Sequence, residues 1–358
     1  MGTAALTPLL FFALSSLITI WALGQKQCIR GLSLLPTWLF NLLSLSSCRH
    51  LTWPGGMNST YAILIIYYFF HTLQILILDY HPPRSTSFIN RYKLWNNPRR
   101  VEARSLFSLR NSPKSRLSFA LKQCFKIFAL FTTDAYLIQG VISTAVFAGA
   151  KPSDFAPYYE LLLFRPLTGQ QAVVRAVISM SWIWTASYLL ETSHCILSIL
   201  FVALLRWDEP EEWPSIWGHP RYATSVRGFW GKTWNRITIP TFAFYAQHVL
   251  DKFGIGRKSG LGKIVLPFLI FFMSGLSHGL AGWAVGDVAL ERDMLFFMIN
   301  FLACACESWV GKTRWWKDSK RRMPSWLLKM AGFLYVCGFF FMVVPLWLYP
   351  KIYGALGS

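Results

Sequence analysis

Two side chains combine a useful functional group with an unusual location. His278 stands in "LPFLIFFMSGLSHGLAGWAV", apolar for most of two turns on either side. An ionisable group at bilayer depth is costly. Burial disfavours the imidazolium and leaves a neutral ring able to take a proton, which is what a general base needs. The same ring could instead hydrogen-bond a neighbouring helix, because Gly275, Gly279 and Gly282 with Ser274 and Ser277 make a small-residue face that lets another helix approach.

The second side chain is Asn235, in "SVRGFWGKTWNRI", Ser225 to Ile237. A side-chain amide donates and accepts but does not titrate, so it suits orientation or oxyanion stabilisation and not proton transfer. Around it Arg227, Lys232 and Arg236, with Arg221 upstream, form a cationic cluster interleaved with Phe229, Trp230 and Trp234. Such cations can hold phosphates, and the rings can form an interfacial belt or stack on an adenine.

Other polar residues in apolar runs offer less. Glu191 and His194 have the i, i+3 spacing of a di-iron ligand pair, but the further carboxylates of such a site are missing, so a helix–helix hydrogen bond is expected and no metal. Asp134, His71 and Asp79 are read as facing a bundle interior. The seven cysteines include no C-x-x-C pair, and Cys304 and Cys306, two apart on a helix, point to different sides. The sequence has no G-x-S-x-G elbow, no P-loop and no cysteine beside an evident base, which argues against a covalent nucleophile.

The elements that must carry these groups are membrane helices. A 358-residue chain that is 54% hydrophobic, 17% aromatic and only 14% charged is too apolar for a soluble domain. Its 35 Lys and Arg against 16 Asp and Glu then point to basic loops near anionic lipid or an anionic substrate, with no nucleic acid partner. Apolar runs long enough to span occur at about 4–24, 60–79, 127–149, 176–205, 263–285, 294–311 and 327–349, and an eighth, 32–48, is shorter. The first reads as an anchor and not as a cleaved signal, since no positive region precedes it.

The expected fold is therefore an all-α integral membrane bundle of about eight spans, a single polytopic domain over 1–358. Residues 81–126 hold eleven Lys and Arg against Glu102, 206–236 hold five and 312–322 hold six against Asp318. The positive-inside rule puts all three on the cytosolic side, 81–126 as a basic loop, and span parity permits it if 237–262 lies at the interface without crossing. The sequon at Asn58 then falls in a lumenal loop.

The segment Trp213 to Asn235, "WPSIWGHPRYATSVRGFWGKTWN", resembles the wax synthase-like branch of the membrane-bound O-acyltransferase family, with its "W-P-x-x-[FW]-G … S-[LV]-R-x-F-W-G-[RK]-R-W-[NH]" pattern. It is similar as well to the F-Y-x-D-W-W-N motif of sterol and diacylglycerol acyltransferases, with Phe229, Trp230, Trp234 and Asn235 in matching places. The family's other hallmark, a histidine in a later apolar helix, matches "SGLSH", Ser274 to His278, so that 206–285 is the core motif region. Thr233 and Lys232 depart from the two patterns, where Arg and Asp are usual.

The resemblance implies a multi-span fold in the endoplasmic reticulum membrane and direct acyl transfer without a bound cofactor. His278 would be the base and Asn235 the orienting or oxyanion-stabilising amide. Arg227, Lys232 and Arg236, with Trp230 and Trp234, would hold acyl-CoA as co-substrate. Likeness to the compact fungal members implies acetyl-CoA as donor and a hydrophobic, terpenoid-type alcohol as acceptor.

Overall fold

A computed structural model describes residues 3–52, 55–79, 87–97, 115–160, 166–287 and 290–357. Those residues form helices and turns, with no strand among them. The long helices are α1 (Thr7–Ala22), α2 (Gln27–Ser47), α3 (Met57–Leu73), α4 (Phe88–Trp95), α5 (Arg116–Thr132), α6 (Gly169–Ser198), α7 (Ile239–Lys252), α8 (Gly262–Val285), α9 (Leu290–Val310), α10 (Arg314–Arg322) and α11 (Ser325–Gly357). Three of them run on through wider π turns, α3 to Leu78, α5 to Ser143 and α6 to Leu204.

Among the described residues, eight stretches are long and apolar enough to cross a membrane: Ala4–Ala22, Gln27–His50, Met57–Leu78, Arg116–Phe147, Gly169–Leu204, Gly262–Val285, Leu290–Val310 and Ser325–Leu356. Each expected span is there, and the chain is a multi-pass membrane protein. The helix at 239–252 is too short to be one of them, as the break at Pro240 predicts.

Two boundaries move for a physical reason. The second span starts at Gln27 and not at 32, because α2 is inside out relative to a soluble helix. Arg30, Ser33, Thr37, Asn41 and Ser44 are buried while Leu32, Leu35 and Leu39 face outward. The fourth begins at Arg116 and not at 127, its lysines being carried on an otherwise apolar helix. Of the expected basic loop 81–126, α4 and the start of α5 are helical, and residues 81–86 and 98–114 lie outside the described residues. Asn58 is the second residue of α3 and not part of a loop, since Gly56 starts that helix from a left-handed conformation.

The chain divides into two compact units. The first holds residues 1–114, 205–212 and 237–290, and the second 115–204, 213–236 and 291–358. In the first, α1 and α2 form an antiparallel hairpin closed by Arg30, whose guanidinium donates to the carbonyls of Leu23 (2.9 Å) and Gln25 (3.0 Å) at the end of α1. Tyr61 of α3 donates to Pro8 O at 2.8 Å, and Tyr67 meets Thr241 of α7 at 2.8 Å. Outside the spans, Tyr92 of α4 donates to Asp208 at 2.8 Å, and burial beside that carboxylate raises its hydroxyl pKa.

In the second unit α11 contains Pro345 and Pro350. A proline cannot donate to the carbonyl four residues back, so Phe341 and Leu346 lose their helical donors. Two arginines replace them. Arg175 of α6, fully buried, donates from Nε to Phe341 O at 2.8 Å, and Arg292 of α9 donates to Leu346 O at 3.3 Å. Arg175 also reaches Tyr159 O (2.7 Å) and Glu160 O (3.0 Å), while Arg292 pairs with Glu160 at 2.7 Å.

Candidate functional site

The segment containing Asn235 is built in the second unit. Ser225 is extended and its Oγ accepts from Gly228 N at 2.9 Å, starting a helical turn, Val226–Gly228, that widens into a π turn, Phe229–Thr233. Glu307 of α9 accepts from the amides of Val226 (2.6 Å) and Arg227 (2.9 Å), and Phe229 N donates to Ser225 O at 2.8 Å. The first four amides of the turn are thus bonded within the chain. Any phosphate recognition here falls to side chains.

The turn closes with Trp234 N donating to Phe229 O at 2.7 Å, and Trp234 itself is extended, so the chain leaves the helix just before Asn235. The preceding loop is clamped on the same turn. Gly218 N donates to Thr233 O at 3.0 Å, and a Cβ on Gly218 would run into the Lys232 carbonyl. That close approach explains the glycine of "SIWG".

Trp230 and Trp234 stand in an aromatic cluster centred on Trp182 of α6, with ring centroids 6.1 and 4.9 Å from it; Phe340 and Trp347 of α11 pack on the same indole. Trp230 also donates from Nε1 to Asn300 Oδ1 of α9 at 2.7 Å. Both tryptophans and Asn235 are half-buried, whereas Arg227, Lys232 and Arg236 are exposed.

Two cations converge on one ring. Lys232 Nζ lies 5.3 Å from the centre of Tyr222, and the Arg221 guanidinium 4.9 Å from it. Arg221 also donates to the Tyr222 hydroxyl at 2.8 Å, and that bond, with the nearby positive charge, lowers the hydroxyl pKa.

His278 lies in the first unit, half-buried on α8 between buried Ser277 and Gly279. Gly275, Gly279 and Gly282 are all buried, as a small-residue face requires, and a Cβ on Gly279 would meet Leu290. Ser274 and Ser277 each donate to the carbonyl four residues back, at 2.8 Å.

The other polar residues have partners. Glu191 pairs with Lys126 of α5, the expected bond between helices. Ligand atoms of Glu191, His194 and Cys195 lie within 4.8 Å of one another, but Cys195 donates to Gln123 at 3.0 Å and Lys126 occupies one Glu191 oxygen. Asp134 accepts from Trp184 at 2.8 Å, and His71 Nε2 meets Trp95 O at 3.0 Å. Cys304 is buried and Cys306 exposed, on different sides as expected, and all seven cysteines are free.

Sequence reasoning did not single out Glu307, Asn300, Trp182 and Tyr222. Glu307 and Asn300 stand on a later helix with no motif linking them to residues 225–235, and only the fold brings them there.

Residues 213–299 match the membrane bound O-acyl transferase family. Acetyltransferase ple2 of Rhodocybe pseudopiperita is 29% identical over 262 residues, covering 70% of this chain and 62% of that protein. Acetyltransferase atnC of Arthrinium sp is 28% identical over 52% of this chain and 43% of its own, and acetyltransferase spyB of Aspergillus fumigatus 25% identical over 67% and 42%. The chain thus spans less than two thirds of the length of these relatives. No solved structure matches it significantly. The matched segment contains both Asn235 and His278, and through it the chain resembles the membrane bound O-acyl transferase family and its fungal acetyltransferases.

Proposed function

We infer that the protein is an O-acyltransferase that moves an acyl group, acetyl in the first instance, from acyl-CoA to a hydroxyl of a hydrophobic acceptor such as a terpenoid alcohol. The observation that carries the reading is the family match over 213–299, which encloses both motif residues. Resemblance to fungal acetyltransferases supports the acetyl donor. The expected location is the endoplasmic reticulum membrane.

In this mechanism the neutral His278 imidazole takes the acceptor's proton as its oxygen attacks the thioester carbonyl. The new C–O bond forms, a tetrahedral oxyanion develops, and Asn235 donates to it from its amide. The C–S bond then breaks, the ester leaves, and the imidazolium returns the proton to the thiolate as free CoA. Arg227, Lys232 and Arg236 are exposed and attract the CoA phosphates. Trp230 and Trp234 serve by holding the turn in place, since their rings are packed on Trp182.

Membranes carrying the protein, incubated with labelled acetyl-CoA or palmitoyl-CoA and a panel of terpenoid and fatty alcohols, test this directly. Labelled acetate ester is the expected product. Exclusive use of palmitoyl-CoA would replace the acetyl assignment with a wax or sterol ester synthase, and no transfer from either donor would remove the enzyme reading.

A further inference from the structure

Asn300 and Glu307 stand seven positions apart on α9, close to two turns, and so share one face. Desolvating an amide or a carboxylate in an apolar helix is costly unless partners are supplied. Each has a partner in the segment 226–230, and Glu307 is also hydrogen-bonded to Tyr335 of α11. The two oxygens of Glu307 bind successive amides, Val226 at 2.6 Å and Arg227 at 2.9 Å. Fully buried Asn300 accepts from the Trp230 indole at 2.7 Å, and its own amide donates to Phe296 O at 2.8 Å, which fixes the way it faces.

α11 touches the same segment. A Cβ on Gly332 would collide with the Thr224 carbonyl, and Phe340 lies 4.9 Å from Phe229. Residues 224, 226, 227, 229 and 230 are therefore each held by α9 or α11 immediately ahead of Asn235.

We propose that Glu307 and Asn300 are positioning residues for acyl transfer, fixing through the Val226–Thr233 turn where the Asn235 amide is presented. The proposal rests on the acyltransferase reading and deepens it. Glu307 is not a catalytic acid in this account, because both its oxygens are committed to backbone amides. An amide that stabilises charge only in the transition state must be held tightly, and a displacement of about 1 Å costs on the order of 10²-fold in rate.

The test uses the full chain in detergent or nanodiscs, with Glu307→Leu, Glu307→Gln, Asn300→Leu and Trp230→Phe. Hydrogen exchange over residues 224–235 is read beside kcat and KM for acetyl-CoA, per monodisperse molecule. Glu307→Leu is expected to speed exchange at Val226 and Arg227 and to lower kcat by about ten- to a hundredfold, with KM for acetyl-CoA little changed. Glu307→Gln keeps the size and one acceptor oxygen, so its loss is smaller and it stays measurable if the leucine variant misfolds. Asn300→Leu in the Trp230→Phe background should cost little beyond either change alone, because one bond is being removed twice.

Unchanged exchange in Glu307→Leu would overturn the anchoring. Faster exchange with kcat intact would reduce Glu307 to a structural cap. Additive losses at Asn300 and Trp230 would show that their bond is not the route. A wild-type protein inactive with every acyl-CoA would overturn the acyl-transfer reading, and the positioning role with it, even where exchange still responds to Glu307→Leu.

Discussion

At the scale of single residues, groups that react and groups that hold respond differently to substitution. His278→Ala is expected to abolish transfer while membrane insertion persists, measured as ester formed per inserted molecule. Asn235→Ala should lower kcat by roughly 10²- to 10³-fold, the usual cost of losing one oxyanion donor. Lys232→Ala should mainly raise KM for acyl-CoA, since its ammonium is exposed and free of the packed cluster. Tyr222 is a titration marker for the same cations. Its hydroxyl pKa is lowered, so the phenolate forms at a lower pH than in an ordinary tyrosine, and an absorbance difference titration against Tyr222→Phe should show that early component. Arg221→Gln should shift it back up. Glycines divide as well: Gly218→Ala should destabilise the loop, whereas a Cβ on Gly231 meets nothing within 4 Å and Gly231→Ala should be tolerated.

At the scale of elements, α11 carries two helix-breaking prolines, and α6 and α9 supply arginines to the carbonyls that the prolines leave without a helical donor. Losing Arg175 strips donors from carbonyls that are buried or partly buried, at about 1–3 kcal/mol for each one left unsatisfied. Arg175→Met should therefore lower the thermal midpoint markedly. Adding Pro345→Ala should recover part of that loss, because the restored amide can donate to Phe341 O again. A double variant no more stable than Arg175→Met alone would show that the guanidinium matters for its other contacts, to Tyr159 and Glu160. The helices themselves were legible from apolar run length, and they blur where polarity points inward. In α2 the buried stripe from Arg30 to Ser44 dilutes the hydropathy that marks a span, and in α5 Lys126 is paid for by Glu191, a partner 65 positions away. Neither compensation is visible locally.

At the scale of the whole molecule, the three basic connections are expected on one side of the membrane. Single cysteines placed in 206–212 and 312–322 of a cysteine-free variant should react with an impermeant reagent from the cytosolic side of sealed microsomes, and a lumenal response from either would break the topology. Asn235 and His278 stand out in the sequence as candidates because two motifs occur in order along the chain. Glu307 and Asn300 were not, since an acid and an amide on a span carry no local pattern, and their meaning comes from the turn they hold. The central claim is that this chain transfers an acyl group with His278 as base. Purified wild type and His278→Ala, given labelled acetyl-CoA and a terpenoid alcohol panel, test it most directly. Labelled ester is expected from the wild type and none above background from the variant. Equal rates from both proteins would contradict it.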